Sequence, residues 1–278
     1  MSKINNYLKF IRFHNLLIGS ISVFISGLIL NIFNINVFIG MMHVFFIMGF
    51  ANTMNDLLDY KTDCINNPQR VLVNNKINNK EAQVICIIFF ILSCLISFLT
   101  PLSTIFFIYG IIFPLIISYN LFFKKTPILG NLFVAFLLAA IFLYVELLLT
   151  NTINILIIPS LLVANLSLIR ELIKDTHDFY GDKKNNFLTL PIIFGIKKSC
   201  IIISVLMALS IFLFLLPYFF GIYGIKYLIS LVFLIEIPLI YSIFVLMNYP
   251  SIKTIKKLIK LHKILTIGGL FILFLTRK

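Results

Sequence analysis

The sequence is short of charge, and shorter still of acid. Only 12% of its 278 residues are charged and ten are Asp or Glu, against a hydrophobic share of 60% and a mean hydropathy of +1.06. A soluble domain of this length must cover its surface with charge, so composition excludes a soluble fold. Cysteine is scarce as well. Cys64, Cys86, Cys94 and Cys200 show no CxxC or metal-ligand spacing, and packing is their default reading. Low-complexity tails, linkers and a soluble domain are all absent. The first apolar stretch, Leu16 to Phe33, is long and has no small-residue cleavage site, so it reads as a span and not as a cleaved signal.

What is present is a series of apolar runs, each long enough to cross a hydrocarbon core of ~30 Å. Length criteria give about nine spans, at roughly 15–33, 36–56, 83–100, 102–122, 129–150, 153–173, 197–218, 224–247 and 261–276. With the amino terminus inside, all but three of the 23 Lys and Arg fall in cytoplasmic segments, and only Lys226, Arg277 and Lys278 lie outside. That asymmetry is the positive-inside rule, and it accounts for the net charge of +13 without nucleic acid. The expected fold is an all-α polytopic bundle of about nine transmembrane helices in the cell membrane, with its long polar connections on the cytoplasmic side.

The few acids are unevenly placed. All six aspartates fall in two inner segments, "NDLLDYKTD" with Asp56, Asp59 and Asp63, and "RELIKDTHDFYGD" with Asp175, Asp178 and Asp182. Asn55, Asp59 and Asp63 step by four and share one face of a helix continuing out of span two. Asp178 and Asp182 do the same after span six, and Glu171, Asp175 and Asp178 extend that stripe inward. Like charges at this spacing repel, so a cation belongs among them. Carboxylates converging from two helix ends suit Mg²⁺, which takes hard oxygen ligands and bridges carboxylates to substrate phosphates. The bland alternative is two solvated loops whose acids balance lysines. Matching positions in the two halves, with almost no acid elsewhere, weigh against it.

These segments resemble the motifs of the UbiA superfamily of intramembrane prenyltransferases. "NDLLDYKTD" resembles that family's NDxxDxxxD, and "DFYGDKKNNFLTLP" its DxxxD followed by a polar loop and Thr-Leu-Pro. "RFHN" (Arg12 to Asn15), "NNPQR" (Asn66 to Arg70) and "SYNLFFKKTPILGN" resemble three further family segments in the right order. Phe13 and Val71 stand where proline is usual, and Asn74-Asn75-Lys76 and Asn186 where glycine is common. Asparagine is the usual substitute where φ is positive, which preserves those turns.

The resemblance implies one transmembrane domain over 1–278 and Mg²⁺-dependent transfer of a prenyl group from an allylic polyprenyl diphosphate to a lipophilic acceptor. Within the family the chain most resembles the branch that prenylates geranylgeranylglyceryl phosphate with geranylgeranyl diphosphate. It implies Asn55, Asp56, Asp59, Asp63, Asp175, Asp178 and Asp182 as the metal-binding set, with Asp59, Asp63, Asp178 and Asp182 central to catalysis. Arg70, Lys124 and Lys174 are the expected diphosphate contacts. Arg12, Asn15, His14 and Arg170 are available to an acceptor headgroup, and Tyr119 to the aromatic pocket that shields the prenyl cation. His177 could take a proton from an attacking hydroxyl, although a solvated loop histidine is the commoner case, and His43 and His262 read as packing or interface residues. Glu146 and Glu236, inside spans, have no assigned role.

Three other readings remain open at this point. An aromatic prenyltransferase of quinone synthesis would share the same carboxylates. A transporter also uses intramembrane acids, but near the midplane and in helices broken by Gly or Pro. A non-catalytic binder of lipid diphosphates would keep the motifs without turnover.

Overall fold

The computed structural model describes residues 3–276, and all regular structure among them is helical. In chain order the helices are α1 (Lys3–Phe10), α2 (Phe13–Ile29), α3 (Ile35–Leu58), α4 (Tyr60–Asn66), α5 (Asn79–Ser97), α6 (Leu102–Leu121), α7 (Leu129–Thr150), α8 (Ile157–Lys184), α9 (Leu190–Phe219), α10 (Ile225–Asn248) and α11 (Ile252–Leu275). Their starts are written in the sequence. Asn34 caps α3 by accepting the Asn36 N–H at 3.0 Å. Capping boxes open α5 (Asn78 with Glu81) and α11 (Ser251 with Thr254). Both α6 and α10 carry a π-helical turn just ahead of a proline, Phe106–Ile112 before Pro114 and Val232–Glu236 before Pro238. A proline cannot donate to the preceding turn, and a widened turn accommodates the lost bond.

Seven of these helices (α3, α5, α6, α7, α9, α10 and α11) are long and apolar enough to cross a bilayer, and α1 with α2, bent by 55°, makes an eighth. The ninth expected span, 153–173, does not meet that measure. Arg170, Glu171 and Lys174 interrupt the apolar run of α8, which continues unbroken to Lys184. The basic stretch 253–263, expected as a connection, is the first half of α11. Arg277 and Lys278, counted on the outer side, lie outside the described residues.

The chain forms two compact units. The first comprises the chain up to Asn120 together with Ile141–Asn154; the second comprises Leu121–Ala140 with everything from Ile155 onward. In the first unit, the connection between α4 and α5 is not loose. Val71, Leu72 and Ile77 are buried against Phe10 of α1 and Ala82 of α5. Asn75 takes φ 52°, as expected of asparagine standing in for glycine, and Asn186 in the second unit takes φ 54°. The core of the second unit is built by α8, α9, α10 and α11 around residues such as Ile173, Ile203, Leu239 and Leu265. There α9 is broken near its start, where Gly195 holds φ 79°.

In the first unit α3 and α5 approach closely at Gly49, where a Cβ would stand 2.3 Å from the ring of Phe89. That ring is wedged beside Phe45 and Phe46, so it cannot swing away freely. Gly49→Ala is therefore expected to destabilise the protein by about 1–3 kcal/mol through overpacking. The chain has no Trp, but Cys86 and Cys200 are buried. A thiol-reactive dye that reports their exposure on heating will read the lowered Tm in detergent.

Candidate active site

The first acidic set stands at the end of α3. The helix is interrupted at Asp59, yet the ladder of backbone bonds runs on: Asp59 N–H to Asn55 O at 2.9 Å, Asp63 N–H to Asp59 O at 2.8 Å and Asn67 N–H to Asp63 O at 2.9 Å. The spacing of four thus survives as geometry. Asp56, Asp59 and Asp63 are all buried, at 6, 7 and 4% exposure. Two arginines reach them from elsewhere in the chain. Arg70 places one guanidinium nitrogen 2.5 Å from Asp56 Oδ1 and 2.6 Å from Asp63 Oδ2. Arg12 donates to the same Asp56 oxygen, and to Asn55 Oδ1 at 3.2 Å. Burial pushes the Asp63 carboxyl above its usual range, with the Arg70 charge pulling the other way.

The backbone is bent to deliver these cations. Arg12 sits between α1 and α2 with φ 55°, a conformation costing a non-glycine residue about 1–2 kcal/mol. Asn52 pins that corner by donating to Ile11 O at 3.2 Å. Asn120 of α6, which the sequence reading missed, accepts from Asn55 Nδ2 at 2.8 Å and donates to Ile116 O. Its only signal was its place beside Tyr119. Tyr119 is half-buried, and Asn15, in the first turn of α2, makes no hydrogen bond to the acidic set.

The second set lies along α8. Glu171 is held by Arg170 at 2.9 Å and by Lys174 at 3.4 Å. Asp175 accepts from Asn131 of α7 at 2.8 Å. His177, read from sequence as a solvated loop residue, instead lies on the helix with Nδ1 2.8 Å from Asp178 Oδ1. Asp182 is buried, and its carbonyl accepts from Phe187 N–H at 3.0 Å, tightening the turn that leads to Thr-Leu-Pro. Lys124 and Lys125 form a short 3₁₀ turn in this same unit. Lys125 accepts from Leu188 N–H through its carbonyl and lays its ammonium 5.6 Å over the Phe187 ring. Behind that turn Ile128 takes φ 64°, a strained state for a β-branched residue, and at Gly130 a Cβ would stand 2.9 Å from Phe123 O.

Among the described residues no three acid, His or Cys side chains form a ready-made metal cage. In the first set Arg70 bridges Asp56 and Asp63, and Arg12 engages Asp56 and Asn55. The donor chemistry nevertheless fits Mg²⁺. In the first set Asp56 and Asp63 pair with Arg12 and Arg70, and in the second Glu171 pairs with Arg170 and Lys174, with Asp175, Asp178 and Asp182 further along the same helix. The acids of both sets offer hard oxygen donors. The two buried histidines are tied elsewhere: His43 to the Tyr144 hydroxyl at 2.8 Å, and His262 to Ser242 at 3.2 Å. Glu146 and Glu236 are buried within α7 and α10.

Asp175 gives the second set a pH dependence. Burial pushes its carboxyl up to about 7, against the favourable bond from Asn131. The folded protein therefore binds a proton that the unfolded chain releases near 3.8, and stability falls as pH rises through that window. With EDTA present, Asp175→Asn is expected to raise stability at pH 8 by on the order of 1–2 kcal/mol. The two proteins should converge near pH 4. Paired Tm measurements across pH check this, and equal midpoints at pH 8 would contradict it.

A multi-span helical protein with its scarce acid gathered in two segments is an integral, multi-pass membrane protein. Comparison with known proteins places it more narrowly. A profile of the UbiA prenyltransferase family matches residues 18–264. Digeranylgeranylglyceryl phosphate synthase of Methanococcus maripaludis is 34% identical over 282 residues, covering 96% of this chain and 99% of that one. The protein of the same name from Methanosphaera stadtmanae is 33% identical over 273 residues, covering 98% and 97%. A solved structure concerned with digeranylgeranylglyceryl phosphate synthase in membranes superposes with a TM-score of 0.77 at 30% identity, covering 100% and 99%. A UbiA homolog from Archaeoglobus fulgidus bound to DMAPP and Mg²⁺ shares the fold, with a TM-score of 0.64 at 18% identity over 96% and 99%. The chain belongs to the UbiA prenyltransferase family.

Proposed function

We propose that this protein transfers a geranylgeranyl group from geranylgeranyl diphosphate to the free hydroxyl of geranylgeranylglyceryl phosphate. The hydroxyl oxygen forms a bond to the allylic carbon, the bond from that carbon to the diphosphate oxygen breaks, and diphosphate leaves. Asn55, Asp56, Asp59 and Asp63, with Asp175, Asp178 and Asp182, would hold Mg²⁺. When bound, that ion neutralises charge developing on the leaving diphosphate. Arg70, Lys124 and Lys174 are assigned to the diphosphate itself. Arg12, Asn15 and Arg170 are assigned to the acceptor phosphate, and Tyr119 to the wall that keeps water from the prenyl cation. For the hydroxyl proton we assign His177, oriented by Asp178 at 2.8 Å. Both units are read as parts of one catalytic domain, with the amino terminus and acidic sets cytoplasmic as the Lys and Arg asymmetry directs.

The observation that supports this reading is the cluster of three buried carboxylates, Asp56, Asp59 and Asp63, at the end of α3, two of them sharing Arg70. Full-length similarity to proteins named for this reaction supports the choice of substrates. The test uses the full chain in nanodiscs with radiolabelled geranylgeranyl diphosphate, with Mg²⁺ or with EDTA. Geranylgeranylglyceryl phosphate, 4-hydroxybenzoate and dihydroxynaphthoate are offered in parallel. Mg²⁺-dependent product from the first acceptor alone is expected. Product only from an aromatic acceptor would replace the substrate assignment, and no product from folded protein would overturn the reaction.

A further inference from the structure

The first half of α11 carries a strongly charged surface well away in sequence from the acidic sets. Lys253, Lys256, Lys257, Lys260 and Lys263 follow one another at steps of three, one, three and three. At about 100° per residue this gathers them within roughly 120° of the helix circumference. All five are exposed. The opposite face presents Ile255, Leu258 and Leu265 to the core of the second unit, with His262 bonded to Ser242. The sequence holds no acid after Glu236, and among the described residues none of the five lysines has a carboxylate partner.

Depth makes this face unusual. The uncharged run of α11, Ile264 to Leu275, is only about 18 Å long at 1.5 Å per residue. A hydrocarbon core is ~30 Å thick. To span it, α11 must draw on about eight more residues, which brings Lys256, Lys257, Lys260 and Lys263 to the hydrocarbon boundary or below it. Ammonium groups there must extend outward along their stems to reach polar partners. Among the described residues the protein supplies none on this face. The groups at that depth on the lipid side are phospholipid phosphates, and an anionic headgroup answers the uncompensated charge.

We propose that the lysine face of α11 is a binding surface for the headgroups of anionic phospholipids in the adjoining leaflet. The site is independent of the reaction assigned above. Lipid phosphates seated there complete the charge balance of α11 and draw anionic lipid around this end of the protein.

The experiment uses the full chain in detergent, with phosphatidylglycerol and phosphatidylcholine added in equal amounts and retained lipid counted by native mass spectrometry. Wild type is expected to favour phosphatidylglycerol about tenfold, with the preference falling in high salt. Changing all five lysines to Gln should bring the preference to within about twofold of unity, and changing them to Arg should keep it. A control that changes Lys183, Lys184, Lys197 and Lys198 to Gln lowers the net charge by nearly as much and should leave the preference intact. Equal losses in both Gln variants would reduce the effect to net charge and overturn the site. A second measurement needs no variant: acylation of wild-type lysines in nanodiscs, read by peptide mass spectrometry. Phosphatidylglycerol should slow labelling of the α11 lysines several-fold more than that of Lys197 and Lys198. Uniform slowing, or none, would also overturn the proposal.

Discussion

Asp63→Asn will lower prenyl transfer by about 10³-fold while leaving the protein folded. The side chain is 4% exposed and is engaged on both oxygens, by Arg70 at 2.6 Å and by Asn67 at 3.3 Å. An asparagine fills the same space and keeps one oxygen for Arg70, so packing is preserved. What it removes is the negative charge, and with it one hard anionic donor from a set of three. Mg²⁺ affinity should fall as well, so the Mg²⁺ concentration giving half-maximal rate should rise before the rate itself recovers. Steady-state kinetics across a Mg²⁺ titration separates these effects. A variant with unchanged kcat and unchanged Mg²⁺ dependence would remove Asp63 from the machinery.

Arg70→Leu acts in the opposite electrostatic sense. One guanidinium nitrogen of Arg70 serves both Asp56 and Asp63, so its loss leaves two buried carboxylates without their shared partner. Breaking buried pairs of this kind costs about 3–5 kcal/mol, and partial exposure of Arg70 together with the remaining Arg12 contact reduces that to about 2–3 kcal/mol. The uncompensated carboxylates should then hold a divalent cation more tightly. Mg²⁺ is therefore expected to raise the Tm of Arg70→Leu by more than it raises that of wild type, even though catalysis is lost. Dye-monitored melting with Mg²⁺ and with EDTA gives both shifts. Equal Mg²⁺ responses would mean that Arg70 and the metal do not share these oxygens.

Much of this was legible in the residues. The bounds of α7 follow from a long apolar run, Leu129–Thr150, with Glu146 its one charged residue, and those of α3 from the Asn34 cap and the hydrophobic run behind it. The spacing of Asn55, Asp59 and Asp63 put them on one ladder, and the ladder is there. Pairings between distant segments were not legible. Nothing local to Arg12 tells that a left-handed turn will aim it at Asp56, and nothing local to Asn120 or Asn131 tells that each will orient an acidic-set side chain. His177 was misread because a helix end was taken for a loop. The ninth span is not confirmed at α8 because hydrophobicity and helicity part company there: the helix runs through its charges, held by core packing at Leu172 and Ile173 that a window average does not see.

The interleaving of the two units along the chain has a consequence for biogenesis. The first unit needs Ile141–Asn154, yet Leu121–Ala140, which belongs to the second, is synthesised before that piece. No single cut separates the coding sequence into two self-sufficient halves. On the ribosome, the amino-terminal unit stays incomplete until the far half of α7 emerges. The fold of the first unit is closed only after construction of the second has begun.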